Sequence, residues 1–328
     1  MRFMKTGNIK PRTVIVLRRA SDRKSLFVIE TLMRWARCRL QNQSSFLKES
    51  NEMIPEFKTI SVEYRQSLAY VTISNGVTNV IDADLMGDLL KLADWLDATP
   101  ELSVVVFQSA SPTHFLSHAD FGLLKMLKDN GLYDRSAAGL YGDFLRRLRA
   151  MPKVMIAKVA GQARGGGAEF VFAMDMAFGC HDSARFALME IMMGLLPGGG
   201  GALYLAEKVG RARALEACLG GADYDAVEAE RFGLINRALP AGQLDGFVDD
   251  LAMRISRFST DAVATNMEAI SFNDGDMAGA LDRVPDLFLS LIQQDAFDRC
   301  CQRYEELGVG RSVNAQKDWR FWAPSLSE

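Results

Sequence analysis

From Phe57 onward, apolar and polar positions follow regular periods. In "FKTISVEYRQSLAYVTIS" they alternate with period two on both sides of Arg65 to Ser67, which predicts two strands joined as a hairpin. The period then changes in "IDADLMGDLLKLADWLDATPEL". There Leu85, Leu89, Leu92 and Leu96 recur at helical spacing, with Asp82 ahead of them as an N-cap. "SVVVFQSA" is a short, β-branched, continuously apolar run, the pattern of a strand buried on both faces. A helix predicted over Ala138 to Arg149 leads into "KVMIAKVA", a second strand of the same kind. Strand and helix in alternation predict α/β architecture built from right-handed crossover units.

The strand "KVMIAKVAG" runs into "ARGGG", and a helix is predicted over "AEFVFAMDMA". Glycines at such a junction let backbone approach a ligand closely. They also leave the first helical N–H groups without intrahelical partners, at the positive end of the helix dipole. The same glycines would serve a strand packed tightly on a helix, so this junction alone leaves both readings open. Glu169 is the single carboxylate inside the apolar run, a setting where exposure is difficult and unpaired burial is costly. A second glycine stretch lies in "ARFALMEIMMGLLPGGGGALYLAEKVGRARALEACLGGADYDAVEAERFGLINRALP", which brings another carboxylate, Glu190, then Gly194, Pro197 and four glycines before a helix.

Taken together, Gly165 to Glu169, Phe186 to Gly201, Gly210 to Ala214 and Ala226 to Ile235 resemble the linked motifs of the crotonase, or enoyl-CoA hydratase/isomerase, superfamily. The loop "FLSHADFGLL" resembles that family's first oxyanion-hole segment, and "ISNGVTNVIDADLMGDL" its first-helix entry around Asn79. The likeness spans about residues 57 to 260. It implies a spiral of ββα repeats over 56–255 and a C-terminal helical region, 256–328, that builds homotrimers or hexamers. It also implies an acyl-CoA substrate, no separate cofactor beyond the coenzyme A of that substrate, and no metal.

The roles that the resemblance implies fall on a few positions. The N–H groups of Ala119 and Gly166 would polarise the thioester carbonyl, with His118, Asp120 and Gly165 lining the same hole. Glu169 and Glu190 match the two glutamates that add water across a 2,3 double bond. The sequence departs from the family at Met189, where proline is usual before the second glutamate, and at His118, where glycine is common. A histidine there either acts on the thioester or is an ordinary exposed loop residue. Glu190 read without the resemblance would be a solvated carboxylate or an ion-pair partner of Arg185. The Met-rich "LMEIMM" and "GGADY" are expected to shape an acyl pocket or the core. Lys125, Lys128 and Arg164 are candidates for the coenzyme A phosphates, with no spacing to choose among them.

Charge separates the N-terminus from the rest. Residues 1 to 55 carry twelve Lys/Arg against four Asp/Glu, a net of +8, which leaves −11 for the remainder of a 328-residue chain whose total is −3. This basic segment reads as an extension, disordered or artefactual, outside the family likeness. If functional, it would be a targeting peptide or contact nucleic acid or a membrane surface, which keeps an RNA-associated crotonase-like protein as a second reading; nucleic acid is otherwise not indicated. No stretch reaches the roughly 18 apolar residues of a membrane span. The five cysteines lack CxxC spacing and partnered histidines, so neither zinc nor a disulfide framework is suggested, and a reducing cytoplasm fits. No G-x-G-x-x-G fingerprint follows a strand, so a dinucleotide is not indicated. Within the superfamily, double-bond isomerases, thioesterases and decarboxylases share the oxyanion hole. Two glutamates favour hydration.

Overall fold

The computed structural model describes residues 54–258 and 260–271, with residues 285, 288–289, 292–293, 295–306 and 308. Most of the basic N-terminal segment and the tail "NAQKDWRFWAP" lie outside the described residues.

Strands β1 (Ile60–Arg65) and β2 (Leu68–Ile73) form the predicted antiparallel hairpin, with Ile60 opposite Ile73 and Arg65 opposite Leu68. Helix α1 (Ala83–Ala98) follows. The Asp82 carboxylate accepts the Leu85 N–H at 2.9 Å, and the leucines at 85, 89, 92 and 96 are fully buried. Next come β3 (Val104–Ser109), β4 (His114–Leu116), α2 (Phe121–Asp129), α3 (Arg135–Arg149), β5 (Val154–Val159), β6 (Gln162–Arg164), α4 (Gly166–Ala173), β7 (Met176–Cys180) and β8 (Arg185–Ala187). After a 3₁₀ turn at Glu190–Met193 the chain continues through α5 (Gly201–Gly220), β9 (Tyr224–Asp225), α6 (Ala226–Phe232), β10 (Arg237–Leu239), α7 (Ala241–Ser256), α8 (Thr260–Ser271) and α9 (Asp295–Glu306). Helix α3 starts earlier than the periodicity indicated because Asp134 caps it, accepting the Ala137 N–H at 3.0 Å.

Strands pair as two sheets, β1-β2-β3-β5-β7-β10 and β4-β6-β8-β9, parallel except for β1/β2 and β8/β9. Each of the pairs β3/β4, β5/β6 and β7/β8 places its first strand in the larger sheet and its second in the smaller one. That is the expected spiral of ββα turns. Two details differ from the sequence reading. The strand "KVMIAKVAG" does not pass straight into the glycines, because β6 crosses to the second sheet first. Helix α4 is also shorter than predicted, since Met174 turns extended and the Asp175 carboxylate takes the Met155 N–H at 2.7 Å, freeing Met176–Cys180 to pair with β5.

Every residue of α4 is buried. Its Phe170 ring lies among Phe107 (5.0 Å between centroids), Phe115 (6.0 Å) and Phe144 (6.3 Å), so the helix is enclosed by β3, β4 and α3. Two of the three glycines at its start are dictated by local geometry and packing. Gly165 has φ +55°, the left-handed region. At Gly167 a Cβ would fall 1.8 Å from the Leu116 carbonyl oxygen of β4. Close strand–helix packing therefore accounts for part of the cluster, but not for Gly166.

In the C-terminal region, α9 does not present a free apolar face. The apolar face of α9 is covered within its own chain: Phe297, Cys301 and Tyr304 are buried with Phe121, Met189, Met193, Phe288 and Ile292 in a second core cluster. Among the described residues of this part, the exposed large apolar ones are Phe258 and Ile270, at 58% and 71%. Among the described residues no helix is long and apolar enough to cross a membrane.

Candidate active site

The loop leaving β4 is fixed by its backbone. The Ile81 N–H donates to the His118 carbonyl, and the Asp120 N–H donates to the Ile81 carbonyl, each at 3.0 Å. The Ala119 carbonyl meets His118 Nδ1 at 2.9 Å. Three of the four polar groups in the two peptide units flanking Ala119 are thus held, and the fourth, the Ala119 N–H, takes part in none of these bonds. Asn79, with φ +49°, ties the neighbouring turn to the same strand: its Nδ2 donates to Ser109 Oγ at 2.8 Å and to the Phe115 carbonyl at 3.0 Å, while its carbonyl accepts the Ser117 N–H at 3.1 Å.

Gly166 opens α4, where an N–H has no intrahelical acceptor. Gly165 is anchored by donating its N–H to the Ala187 carbonyl at 2.8 Å. A Cβ built on Gly166 would lie 3.8 Å from Ala119 N, so the start of α4 packs against the Ala119 backbone. An N–H at a helix N-terminus, with a second backbone N–H nearby, suits a carbonyl oxygen that gains negative charge.

The carboxylates come from the two glycine stretches. Glu169, 3% exposed in the first turn of α4, accepts the Gly199 N–H at 2.8 Å and the Gly201 N–H at 2.9 Å, both on Oε1. The second glycine run therefore cradles the carboxylate that follows the first. Glu190 begins the 3₁₀ turn, 8% exposed, and its Oε2 has no hydrogen-bond partner. Arg185 is not its ion-pair partner, since that guanidinium donates to the Ala184 carbonyl at 2.7 Å; the solvated-carboxylate reading also fails, because Glu190 is buried.

Burial pushes Glu169 up to about 7, opposed by the Gly201 and Gly199 N–H groups that favour its anion. Burial pushes Glu190 well above the usual carboxylate range, and the nearby Glu169 charge adds to this. Backbone N–H groups at Met189 and Glu190 also favour the Glu190 anion, but its Oε2 has no partner and its carboxyl is raised further than that of Glu169, so the anion is favoured on Glu169 and the proton on Glu190. A buried pair holding one proton can take a proton on one side and give one on the other.

His118 is neither exposed nor free to act on a thioester. It is buried with its ring stacked on Phe121 (5.3 Å, 8°), and it is bonded to Ala119 and to the Tyr304 hydroxyl. Burial holds its imidazole below the ordinary range, hence neutral. Asp120 caps α2, accepting the Leu123 N–H at 3.2 Å, so it shapes the loop. Of the three candidates for phosphate contact, Arg164 is ruled out: it is buried in a two-pronged pair with Asp223, at 2.8 and 3.2 Å. Removing one member strands a buried charge, so Asp223→Ala is expected to cost about 3–5 kcal/mol in chemical denaturation. A loss below about 1 kcal/mol would class the pair with surface bridges instead. Lys125 and Lys128 both pair with Asp298 of α9.

Sequence reasoning missed two tyrosines. The Tyr141 hydroxyl of α3 donates to the Gly166 carbonyl at 2.6 Å. Burial, then the Glu169 charge, pushes its phenol well up, keeping it a donor. Tyr304 reaches His118 from α9. Both sit on helix faces that read as ordinary core. Met189 and Met193 flank Glu190 and are buried in the second core cluster, as the Met-rich stretch suggested.

A family profile described as enoyl-CoA hydratase/isomerase matches residues 63–309. A protein of Mycobacterium leprae, provisionally assigned as an enoyl-CoA hydratase, is 31% identical over 217 residues, covering 66% of this chain and 82% of that one. The short-chain-enoyl-CoA hydratase of Clostridium acetobutylicum is 27% identical over a stretch of the same length and coverage. A crystal structure from Streptomyces avermitilis, likewise provisionally assigned as an enoyl-CoA hydratase, superposes with a TM-score of 0.73 at 32% identity, over 83% of this chain and 99% of that chain.

Proposed function

The chain belongs to the enoyl-CoA hydratase/isomerase family, and from that premise we propose that it adds water across the 2,3 double bond of a 2-enoyl-CoA, or removes it in the reverse direction. The thioester oxygen accepts the Ala119 and Gly166 N–H groups, which lowers the cost of the enolate-like transition state. Water held between the carboxylates loses a proton to Glu169 as its oxygen bonds to C3. Glu190 delivers its proton to C2, and the C2–C3 π bond is consumed. The pair then carries one proton again and water is fully accounted for.

The observation that supports this reading is the pairing of two buried carboxyl groups, Glu169 and Glu190, both raised by burial, near the Ala119 and Gly166 backbone. Migration of a double bond needs one such group, while hydration uses both. Assembly as a trimer or hexamer, which the family likeness implies, would fall to exposed residues such as Phe258 and Ile270 rather than to the apolar face of α9.

A screen of 2-enoyl-CoA thioesters of increasing chain length tests the proposal, following the absorbance of the conjugated thioester with parallel detection of free coenzyme A. Loss of absorbance without free thiol is the expected result. Stoichiometric release of coenzyme A would replace hydration by thioester hydrolysis. Bond migration without oxygen-18 uptake from labelled water would replace it by isomerisation.

A further inference from the structure

We propose that Tyr304 is a positioning residue of the oxyanion hole, acting through His118; this rests on the role given above to the Ala119 N–H. His118 Nδ1 faces the Ala119 carbonyl, which only accepts, so Nδ1 carries the ring hydrogen. In the neutral imidazole Nε2 is then the acceptor, and the Tyr304 hydroxyl, which lies closest to it, donates there. The hydroxyl is 3.2 Å from Nδ1 as well. The result is a chain of donors from α9 to the loop: Tyr304 O–H to His118, and His118 N–H to the Ala119 carbonyl.

Three rings enclose this chain. His118 stacks on Phe121, and Tyr304 stands edge-on to both, 4.8 Å from Phe121 and 5.3 Å from His118. Without the Tyr304 hydroxyl, Nε2 becomes a buried acceptor with its donor removed, a state the ring relieves by rotating or changing tautomer. Either change releases the Ala119 carbonyl, one of the three backbone ties that aim the Ala119 N–H. The helix that the sequence assigns to assembly is in this way part of the catalytic apparatus. Tyr304 stands 186 residues from the histidine it orients.

The test uses the full-length protein with butanoyl-CoA labelled with carbon-13 at the thioester carbonyl as an unreactive probe. Difference infrared spectroscopy reads the downshift of the bound carbonyl stretch. Tyr304→Phe keeps the ring and removes only the hydroxyl. It is expected to shrink the downshift and to lower kcat about tenfold, with KM and the thermal midpoint little changed, a smaller loss than the roughly 10²–10³ of deleting a donor outright. In a His118→Phe background, which keeps the stack and removes both nitrogens, the same change should cause no further loss of kcat. A Tyr304→Phe enzyme with the full downshift and kcat overturns the proposal, as does an undiminished further loss in the His118→Phe background. A wild-type enzyme with no downshift overturns the oxyanion-hole reading itself, and this proposal with it.

Discussion

Glu190→Gln and Glu169→Gln are each expected to lower the hydration kcat by at least about 10², within the range that a positioned acid or base contributes. They should do so for different reasons. Glutamine at 190 keeps a donor but has no transferable proton, so C2 is left without its acid. Glutamine at 169 still offers an oxygen to the Gly199 and Gly201 N–H groups, so the local fold survives while the base is lost. Near-native turnover by either variant would remove that residue from the mechanism. Stability should move the other way. Both carboxyls are held above their ordinary values, Glu169 near 7. An acid whose pKa rises on folding contributes its full stability below the unfolded value, about 4.5, and loses it as pH rises through the folded value. Between about pH 5 and 8 the wild-type fold therefore weakens, and either amide removes part of that penalty. Glu190→Gln should be the more stable protein at pH 8 in denaturant titration, with the difference shrinking toward pH 5. Equal or lower stability would show that the pair is solvated in solution.

The local periods were informative where the interaction is local. Asp82 and the leucines of α1 lie within a few turns of each other, and the unbroken β-branched run of β3 needs no knowledge of its neighbours to read as buried. The linked motifs drew attention to Glu169, Glu190, Ala119 and Gly166 through the family likeness, and the fold brings these four positions into one region. What escaped was decided by distant chain. Helix α4 stops at Ala173 because Asp175 is called to the Met155 N–H twenty residues back. Arg164 is buried because Asp223, fifty-nine residues on, receives it. Nothing near His118 predicts burial, since the groups that bury it include Tyr304 of α9. The amphipathic pattern of α9 was legible, but an apolar stripe does not say whether another subunit or the chain's own loop will cover it.

The contrast between neighbouring glycines gives the other large expected effect. Gly166→Ala is expected to give a folded enzyme that has lost at least about 10² in kcat/KM on every acyl-CoA tested, the scale of one lost oxyanion donor. Gly166 lies outside the left-handed region, so alanine meets no backbone strain there and restricts the unfolded chain, a change that by itself stabilises by about 0.4–1 kcal/mol. The new methyl would meet Ile81 Cδ1 at 2.8 Å, the far end of a side chain able to swing aside. Its other neighbours are Tyr141 Cε1 at 3.5 Å and Ala119 N at 3.8 Å, so it crowds the backbone to which the thioester oxygen is assigned. The donor survives, but the carbonyl oxygen is denied its seat, and the loss must be independent of chain length because every thioester shares that oxygen. Gly167→Ala has no such room: its Cβ lands on the Leu116 carbonyl at 1.8 Å, so helix α4 must move off β4 and the thermal midpoint should fall with the activity. A Gly166→Ala enzyme of wild-type activity on all chain lengths would mean that the thioester does not sit between Ala119 and Gly166.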